Sequence, residues 1–397
     1  MKILMVTPYV PYPPSSGGQI RTFNLLKHLS KNNEITLVSL FKDETEKQYE
    51  SYLKNYCKKI YLCQRPEKPW TLKTIINTLF SFQPFLVVRN FSEEAKEIID
   101  NLLKKESFDV IHAETFYVMP HIPKTLTPIV LVEQTIEYNV YKHFVNSLSF
   151  FLRLLVYFDI DIFKLKYWER YYWKKADIVV AVSSPDEKTI KKEVKKIKTS
   201  IIPNCVGDEI IVNKLEKKDL KKPIIFFQGN FYWLQNVEAA KFLIEKIYPI
   251  LKKTDLHFSL IIAGQNAKKI GTVKEKSIRL IDIVSNDTQT VKNLFQQASL
   301  FIAPIFGPGG TRLKILAAMG SGIPVISTRT GVEGLAVKNN LHVLIAETPR
   351  EFINKIKEIL SKKTLYKKIR QNAYFLVKEK YQWSEIANKL ENLYRNL

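Results

Sequence analysis

With 397 residues, 46% of them hydrophobic and 25% charged, the chain has the composition of a folded globular protein and the length of two domains, each able to bury its own core. Three cysteines without metal-ligand spacing argue against a disulfide scaffold and fit a reduced, cytosolic setting, and no run of eighteen apolar residues marks a transmembrane helix. The net charge of +22 is carried largely by lysine tracts such as 188–198 and 214–222, read as solvated faces left by a coding bias, as attraction to an anionic membrane surface, or as affinity for a polyanionic substrate; no nucleic-acid-binding module accompanies them.

The start, MKILMVTPYV, lacks the apolar length and cleavage site of a signal peptide and is expected to form the first strand. Apolar, β-branched runs follow at 3–7, 34–41, 108–113, 128–134 and 177–183, mostly separated by helical patterns that include 19–30 and 92–105. Such alternation predicts a parallel, doubly wound sheet buried on both faces. Gly17 and Gly18 directly follow the first strand, and Arg21 lies one turn into the helix, either facing an anionic partner or simply exposed. Glu114, Glu133, Gln134 and Glu137 cluster beyond two neighbouring strand ends, where carboxylates supply a general base or bind hydroxyls. His112 is expected at a strand terminus in a structural role. Residues 144–173 are aromatic and basic, with an apolar stripe over Leu148, Phe151, Leu155, Phe158, Ile162 and Leu165. The stripe suits a core helix or a helix lying in an anionic membrane interface.

Ser184, Pro185 and Glu187 predict a helix start with Ser184 as the cap. The alternation breaks at 202–208, which puts a domain boundary between 205 and 206. A second series of strands is expected at 223–230, 258–264, 277–284, 299–306, 324–329 and 342–346. Thr348 caps a helix with Pro349 at its first position, and the tail, 365–381 and 383–397, is helical throughout. Between the fourth and fifth strands of this series lies Gly307–Pro308–Gly309–Gly310–Thr311–Arg312–Leu313–Lys314. A glycine turn entering a helix presents backbone N–H groups to a phosphate. Arg312 and Lys314 are expected in the first helical turn, against the helix dipole, as if an anion held them there. The plainer alternative is an ordinary turn with two solvated cations. Glu333 follows the next strand end, where ligands are met in sheets of this kind.

Several of these segments together resemble the glycosyltransferase group 1 family, also called glycosyltransferase family 4. Residues 1–30 look like the family's first strand, glycine loop and helix; 176–183 like the strand before its linker; Pro203–Asn204–Cys205–Val206 like its hinge; 229–249 like the opening of its donor domain; and 309–335 like its sugar-nucleotide signature. The resemblance covers nearly the whole chain. It implies an α/β fold of two Rossmann-like doubly wound domains facing a cleft (GT-B), at 1–205 and 206–382, with the last helix, 383–397, returning to the first domain through Trp383. It implies a nucleotide-diphosphate sugar as donor, no cofactor and no required metal, retention of anomeric configuration, and a saccharide or lipid-linked saccharide as acceptor. Donor contacts are then expected from Gly17, Gly18, Gly229, Asn230, Gly309, Gly310, Thr311, Arg312, Lys314 and Glu333. Gln134, Glu137, Arg312 and Lys314 are the catalytic candidates, and Arg21, Glu114 and Glu133 the acceptor-side ones. The chain departs from the family where two glutamates are usual, at Gly309 and Ala317. It has Asn230, Gln235 and Asn236 where an arginine and a lysine are usual, and Gln134 in the place of a histidine. The expected function is retaining transfer in surface polysaccharide assembly by a cytoplasmic protein, peripheral at the inner face of the membrane. The alternative is a degenerate sugar-nucleotide-binding protein without transfer activity.

Overall fold

The computed structural model describes the chain apart from residues 69–70, 149–157, 274, 285–286 and 309–311, and apart from the side chains of residues 73 and 158. The described chain divides into two compact units, one of Met1–Pro203 with Trp383–Leu397, the other of Asn204–Pro308 with Arg312–Gln382.

The first unit is built on seven parallel strands: β1 (Lys2–Thr7), β2 (Glu34–Phe41), β3 (Lys59–Gln64), β4 (Val110–Glu114), β5 (Ile129–Glu133), β6 (Ile178–Ala181) and β7 (Thr199–Ile201). Their order is β3-β2-β1-β4-β5-β6-β7. Central strands such as β1 and β4 are buried almost throughout, which is why they read as continuous apolar runs in the sequence. The two strands without a sequence signal, β3 and β7, are the edges. β3 is mostly half-buried and mixes polar residues among apolar ones, and β7 has only three residues.

Two sequence expectations are corrected here. The helix Ser184–Glu193 is capped by Ser183, not Ser184: the Ser183 hydroxyl accepts from the Asp186 N–H, because Ser183 still has extended backbone. His112 lies inside β4, not at its end. The C-terminal helix Trp383–Arg395 packs on the helix Gly17–Leu29 of the same unit and buries Trp383 completely.

The second unit carries six parallel strands: β8 (Ile224–Gln228), β9 (Ser259–Gly264), β10 (Ile278–Asp282), β11 (Leu300–Ala303), β12 (Val325–Ser327) and β13 (Leu344–Ile345). Their order is β10-β9-β8-β11-β12-β13. In each sheet the connections run outward from a central pair, β1 beside β4 and β8 beside β11. The carboxyl ends of those pairs are the switch points where doubly wound sheets bind ligands.

Part of the apolar stripe expected within 144–173 lies outside the described residues. The described helix Phe158–Lys175 buries Leu165, Tyr172 and Trp173 and exposes Ile160, Phe163, Tyr167 and Tyr171. Beside it the helix Leu72–Phe80 exposes Leu72, Ile76, Leu79 and Phe80, the last by 89%. The two helices are tied together by the Lys164 ammonium, which donates to the Thr78 and Ser81 carbonyls at 2.7 Å each, and by the Phe82 and Tyr167 rings at 5.0 Å. Among the described residues, no helix is long and apolar enough to cross a membrane.

Candidate functional site

In the second unit the chain leaves β8 at Gly229 and Asn230. Gly264, which ends β9, has φ +146°, and a Cβ there would stand 1.8 Å from the Gly229 carbonyl oxygen, so only glycine lets the two strand ends approach. Asn230 is fixed by that approach. Its amide donates to Gln265 Oε1 at 2.9 Å, and its Oδ1 accepts from the Tyr232 N–H at 2.9 Å and from Asn266 Nδ2 at 3.0 Å. Asn236 then bridges to the far side of the switch point. Its Nδ2 donates to the Asn230 carbonyl at 2.7 Å, and its Oδ1 accepts from Lys314 Nζ.

Lys314 is the second residue of the helix Leu313–Gly320. Arg312 stands just before that helix, at the capping position, which corrects the expectation that both cations lie in its first turn. Arg312 is buried and donates through Nη2 to the Gly307 carbonyl at 2.5 Å. The Lys314 ammonium lies 5.4 Å from the centroid of the Phe227 ring. Among the described residues no carboxylate pairs with it. Burial, reinforced by the Arg312 charge, pushes the Lys314 ammonium down to about 7. Two cations thus share the end of the sheet, held by a carbonyl, an amide and an aromatic face. Gly309, Gly310 and Thr311 lie outside the described residues. Ala317 is buried one turn beyond Lys314. Glu333 is exposed on the rim of a separate open cleft of about 430 Å³ that none of Arg312, Lys314 or Asn236 lines.

The first unit has a different electrostatic arrangement. Gly17 and Gly18 open the helix after β1, capped by Ser16. A Cβ on Gly18 would come within 2.4 Å of the Tyr9 hydroxyl and 3.0 Å of Gln134 Oε1, so the glycine admits both side chains. Gln134 Nε2 donates to Tyr9 Oη at 2.7 Å and to Glu114 Oε1 at 2.6 Å. Arg21 is fully buried, contrary to the reading of an exposed arginine. Its Nε lies 3.3 Å from Glu114 Oε1, and its Nη1 donates to the Ile202 and Pro203 carbonyls. The other Glu114 oxygen takes His112 Nε2 at 2.6 Å, and His112 Nδ1 meets the Tyr394 hydroxyl of the C-terminal helix at 2.5 Å. Burial alone would raise the Glu114 carboxyl, but His112, Arg21 and Gln134 overcome it and hold the group below the usual carboxylate range. Arg21 and Glu114 are consumed by each other and by their neighbours, so they position Gln134 and Tyr9 from behind.

Glu133 ends β5, fully buried, and accepts from the Trp173 indole N–H at 2.8 Å. Glu169, equally buried, accepts from the backbone N–H groups of Glu137 and Tyr138 at 2.8 and 3.0 Å and so caps the helix Glu137–Ser147, whose own capping residue is Ile136. Burial, then repulsion from Glu169, pushes Glu133 well above the carboxylate range, and burial, then repulsion from Glu137, does the same to Glu169. The half-buried Glu137 is raised by burial to about 7, with Arg89 opposing. Sequence reading missed Tyr9, Glu169 and Tyr394, since each is brought to the site from a distant segment. Among the described residues no group of three His, Cys, Asp or Glu side chains has metal-holding geometry.

Family models match both parts of the chain: Glycosyltransferase Family 4 over residues 15–209 and Glycosyl transferases group 1 over residues 222–362. An uncharacterized 44.6 kDa protein in the cps region of Klebsiella pneumoniae is 23% identical over 98% of both chains. A UDP-Gal:alpha-D-GlcNAc-diphosphoundecaprenol alpha-1,3-galactosyltransferase of Escherichia coli is 24% identical over 70% of this chain and 74% of its own. Among solved structures, sucrose-phosphate synthase of Thermosynechococcus elongatus superposes with a TM-score of 0.72 at 15% identity, covering 100% of this chain and 98% of its own. Anabaena HepE in complex with UDP superposes with a TM-score of 0.63 at 12% identity, covering 100% of each.

Proposed function

We propose a reaction for this chain, which belongs to the group 1 glycosyltransferases: transfer of a sugar, with retention, from a nucleotide-diphosphate sugar to a saccharide on a lipid-linked acceptor, in surface polysaccharide assembly. The observation that carries the donor side is the Arg312–Lys314 pair at the switch point of the second sheet. Two adjoining cations without a carboxylate on Lys314 are complementary to a diphosphate. As the bond between the anomeric carbon and the diphosphate oxygen breaks, the electron pair leaves on that oxygen, and fixed cations stabilise the growing charge more than the ground state. The acceptor hydroxyl bonds to the same face of the anomeric carbon and its proton passes to the departing phosphate oxygen. Gln134, whose two N–H groups are held by Glu114 and Tyr9, offers its amide oxygen as an acceptor beside the helix that opens at Gly17. Glu137, with a carboxyl near neutrality, can take up or release a proton there.

The names of the similar proteins support the class of donor and acceptor: one acts on a diphosphoundecaprenol-linked sugar and another was solved with UDP. The exposed apolar helices 72–80 and 158–175, together with the net charge, support an anionic membrane surface as a further partner. The degenerate reading rests on Gly309 and Ala317, which cannot accept a sugar or ribose hydroxyl through their side chains. A panel of sugar nucleotides, screened by thermal shift and then for transfer to a prenyl-diphosphate saccharide, tests the proposal. At least one should stabilise the protein and turn over. If none binds and Ala317→Glu alone creates binding, the transferase reading fails and the degenerate one replaces it.

A further inference from the structure

The carboxyl end of the first sheet carries a second pair of cations that the donor site does not use. Arg65 directly follows β3, with its N–H on the Phe41 carbonyl at the end of β2. Arg89 closes the short helix Phe85–Val88, which packs on the turn Phe116–His121 that follows β4. Both side chains are half-buried, and the Nε of each is shielded from solvent without a hydrogen-bond partner. Among the described residues neither guanidinium makes a hydrogen bond or ion pair; Arg89 only lies over the Phe85 ring, at 5.6 Å. The two repel each other: burial, then the Arg89 charge, pull the Arg65 guanidinium below its usual value. Glu46, Glu137 and Asp161 lie within electrostatic reach of one or the other, yet none closes a salt bridge with them. Buried arginine is ordinarily paired, as Arg21 is in this same unit.

We propose that Arg65 and Arg89 bind a diphosphate group of the acceptor, so that the first unit recognises a lipid-linked saccharide by its phosphates. Guanidinium forks match phosphate oxygens in bidentate geometry, and two of them suit a diphosphate better than a monophosphate. Tyr117, which follows β4, and Glu137, which follows β5, lie within electrostatic reach of the pair at the same carboxyl end of the sheet. The proposal rests on the transferase reading for the identity of the anion's carrier, while the site itself stands on the unpaired arginines.

The test measures binding of farnesyl diphosphate, farnesol, inorganic pyrophosphate and uridine diphosphate to the full chain, to Arg65→Gln, to Arg89→Gln and to Lys314→Met. Farnesyl diphosphate should bind at least about tenfold more tightly than farnesol, the scale of a charge-assisted contact. Either arginine variant should lose that advantage, and Arg89→Lys should recover only part of it. Uridine diphosphate should respond in the opposite way, weakened by Lys314→Met and indifferent to Arg65 and Arg89. Because neither arginine has a hydrogen-bond or salt-bridge partner among the described residues, their glutamine variants should fold with unchanged or raised thermal midpoints. Farnesyl diphosphate binding that survives both arginine substitutions, or is lost only in Lys314→Met, overturns the proposal. Arginine-dependent diphosphate binding in a protein that neither binds nor transfers any nucleotide sugar would keep the site and discard the transferase reading.

Discussion

The two switch points treat buried charge in opposite ways. In the first unit, the chain Arg21–Glu114–His112–Tyr394 matches its charges: each carboxylate oxygen has a donor, and the network joins the first helix, β4 and the last helix. In the second, the Lys314 ammonium, beside Arg312, rests on an amide oxygen and an aromatic ring, with no carboxylate on it among the described residues. Removing one member of a matched buried pair leaves an orphaned charge and costs several kcal/mol. An unmatched cation costs stability while it waits, and its removal shows in ligand binding. The contrast separates charge that holds the fold from charge reserved for a ligand.

The largest expected effect is on the matched side. Glu114→Ala should destabilise the protein by about 3–5 kcal/mol, because Arg21 is left buried and uncompensated. Trp383→Ala, which empties the anchor of the last helix, should cost a similar ~3–5 kcal/mol. Denaturant midpoints at constant slope measure both. A loss below about 1 kcal/mol for Glu114→Ala would mean the network is not a structural unit.

On the unmatched side, Lys314→Met should leave stability unchanged or higher while weakening nucleoside diphosphate binding by about 1.5–3 kcal/mol. Titration calorimetry reads this directly, and equal affinity in a folded variant would remove Lys314 from the site. The pH dependence follows from the same residue. The unfolded ammonium titrates at its ordinary value and the folded one at about 7, so the unfolded state binds more protons between those values. Stability contributed by this site should therefore rise with pH above 7, a slope that Lys314→Met abolishes. Diphosphate binding at pH 8 should take up a proton, seen as a dependence of the binding heat on buffer ionisation.

Glu137 should give the reverse slope. Its folded carboxyl is raised to about 7, so the folded state holds a proton that the unfolded state loses from about pH 4.3. That stability is complete below the unfolded value and fades as pH rises toward 7; in Glu137→Gln the fall should disappear. The smallest effect concerns the exposed helices. Sedimentation with anionic vesicles should weaken about tenfold in Phe80→Ser, the scale of one large apolar side chain withdrawn from an interface. Vesicle binding unaffected by Phe80→Ser, but abolished by salt, would assign the attraction to the lysines alone.

The order of strands and helices was legible in the sequence because strands buried on both faces must be apolar along their whole length. The glycines at 17–18 and 229 were legible from the turns they open, whereas the close backbone approach that excludes any side chain lies at Gly264, against the Gly229 carbonyl, which the sequence did not single out. Thr348 was readable as a cap from four neighbouring residues, whereas the choice between Ser183 and Ser184 depended on where extended backbone ended. The edge strands β3 and β7 were not legible, since a half-exposed edge imposes little pattern. The identity of the candidate cations came from the sequence; whether a charge is paired did not. Arg21 and Arg312 look alike in the chain, each soon after a pair of glycines. Only the fold carried Glu114, His112 and Tyr394 to the first, 91 to 373 residues away in sequence, and only the fold put Lys314 against an amide and a ring instead of an acid. Local patterns fix where elements begin and which way they face, because helix and strand periods are short-range. The balance of buried charge belongs to the tertiary structure, because it depends on which distant side chains share a region that water does not reach.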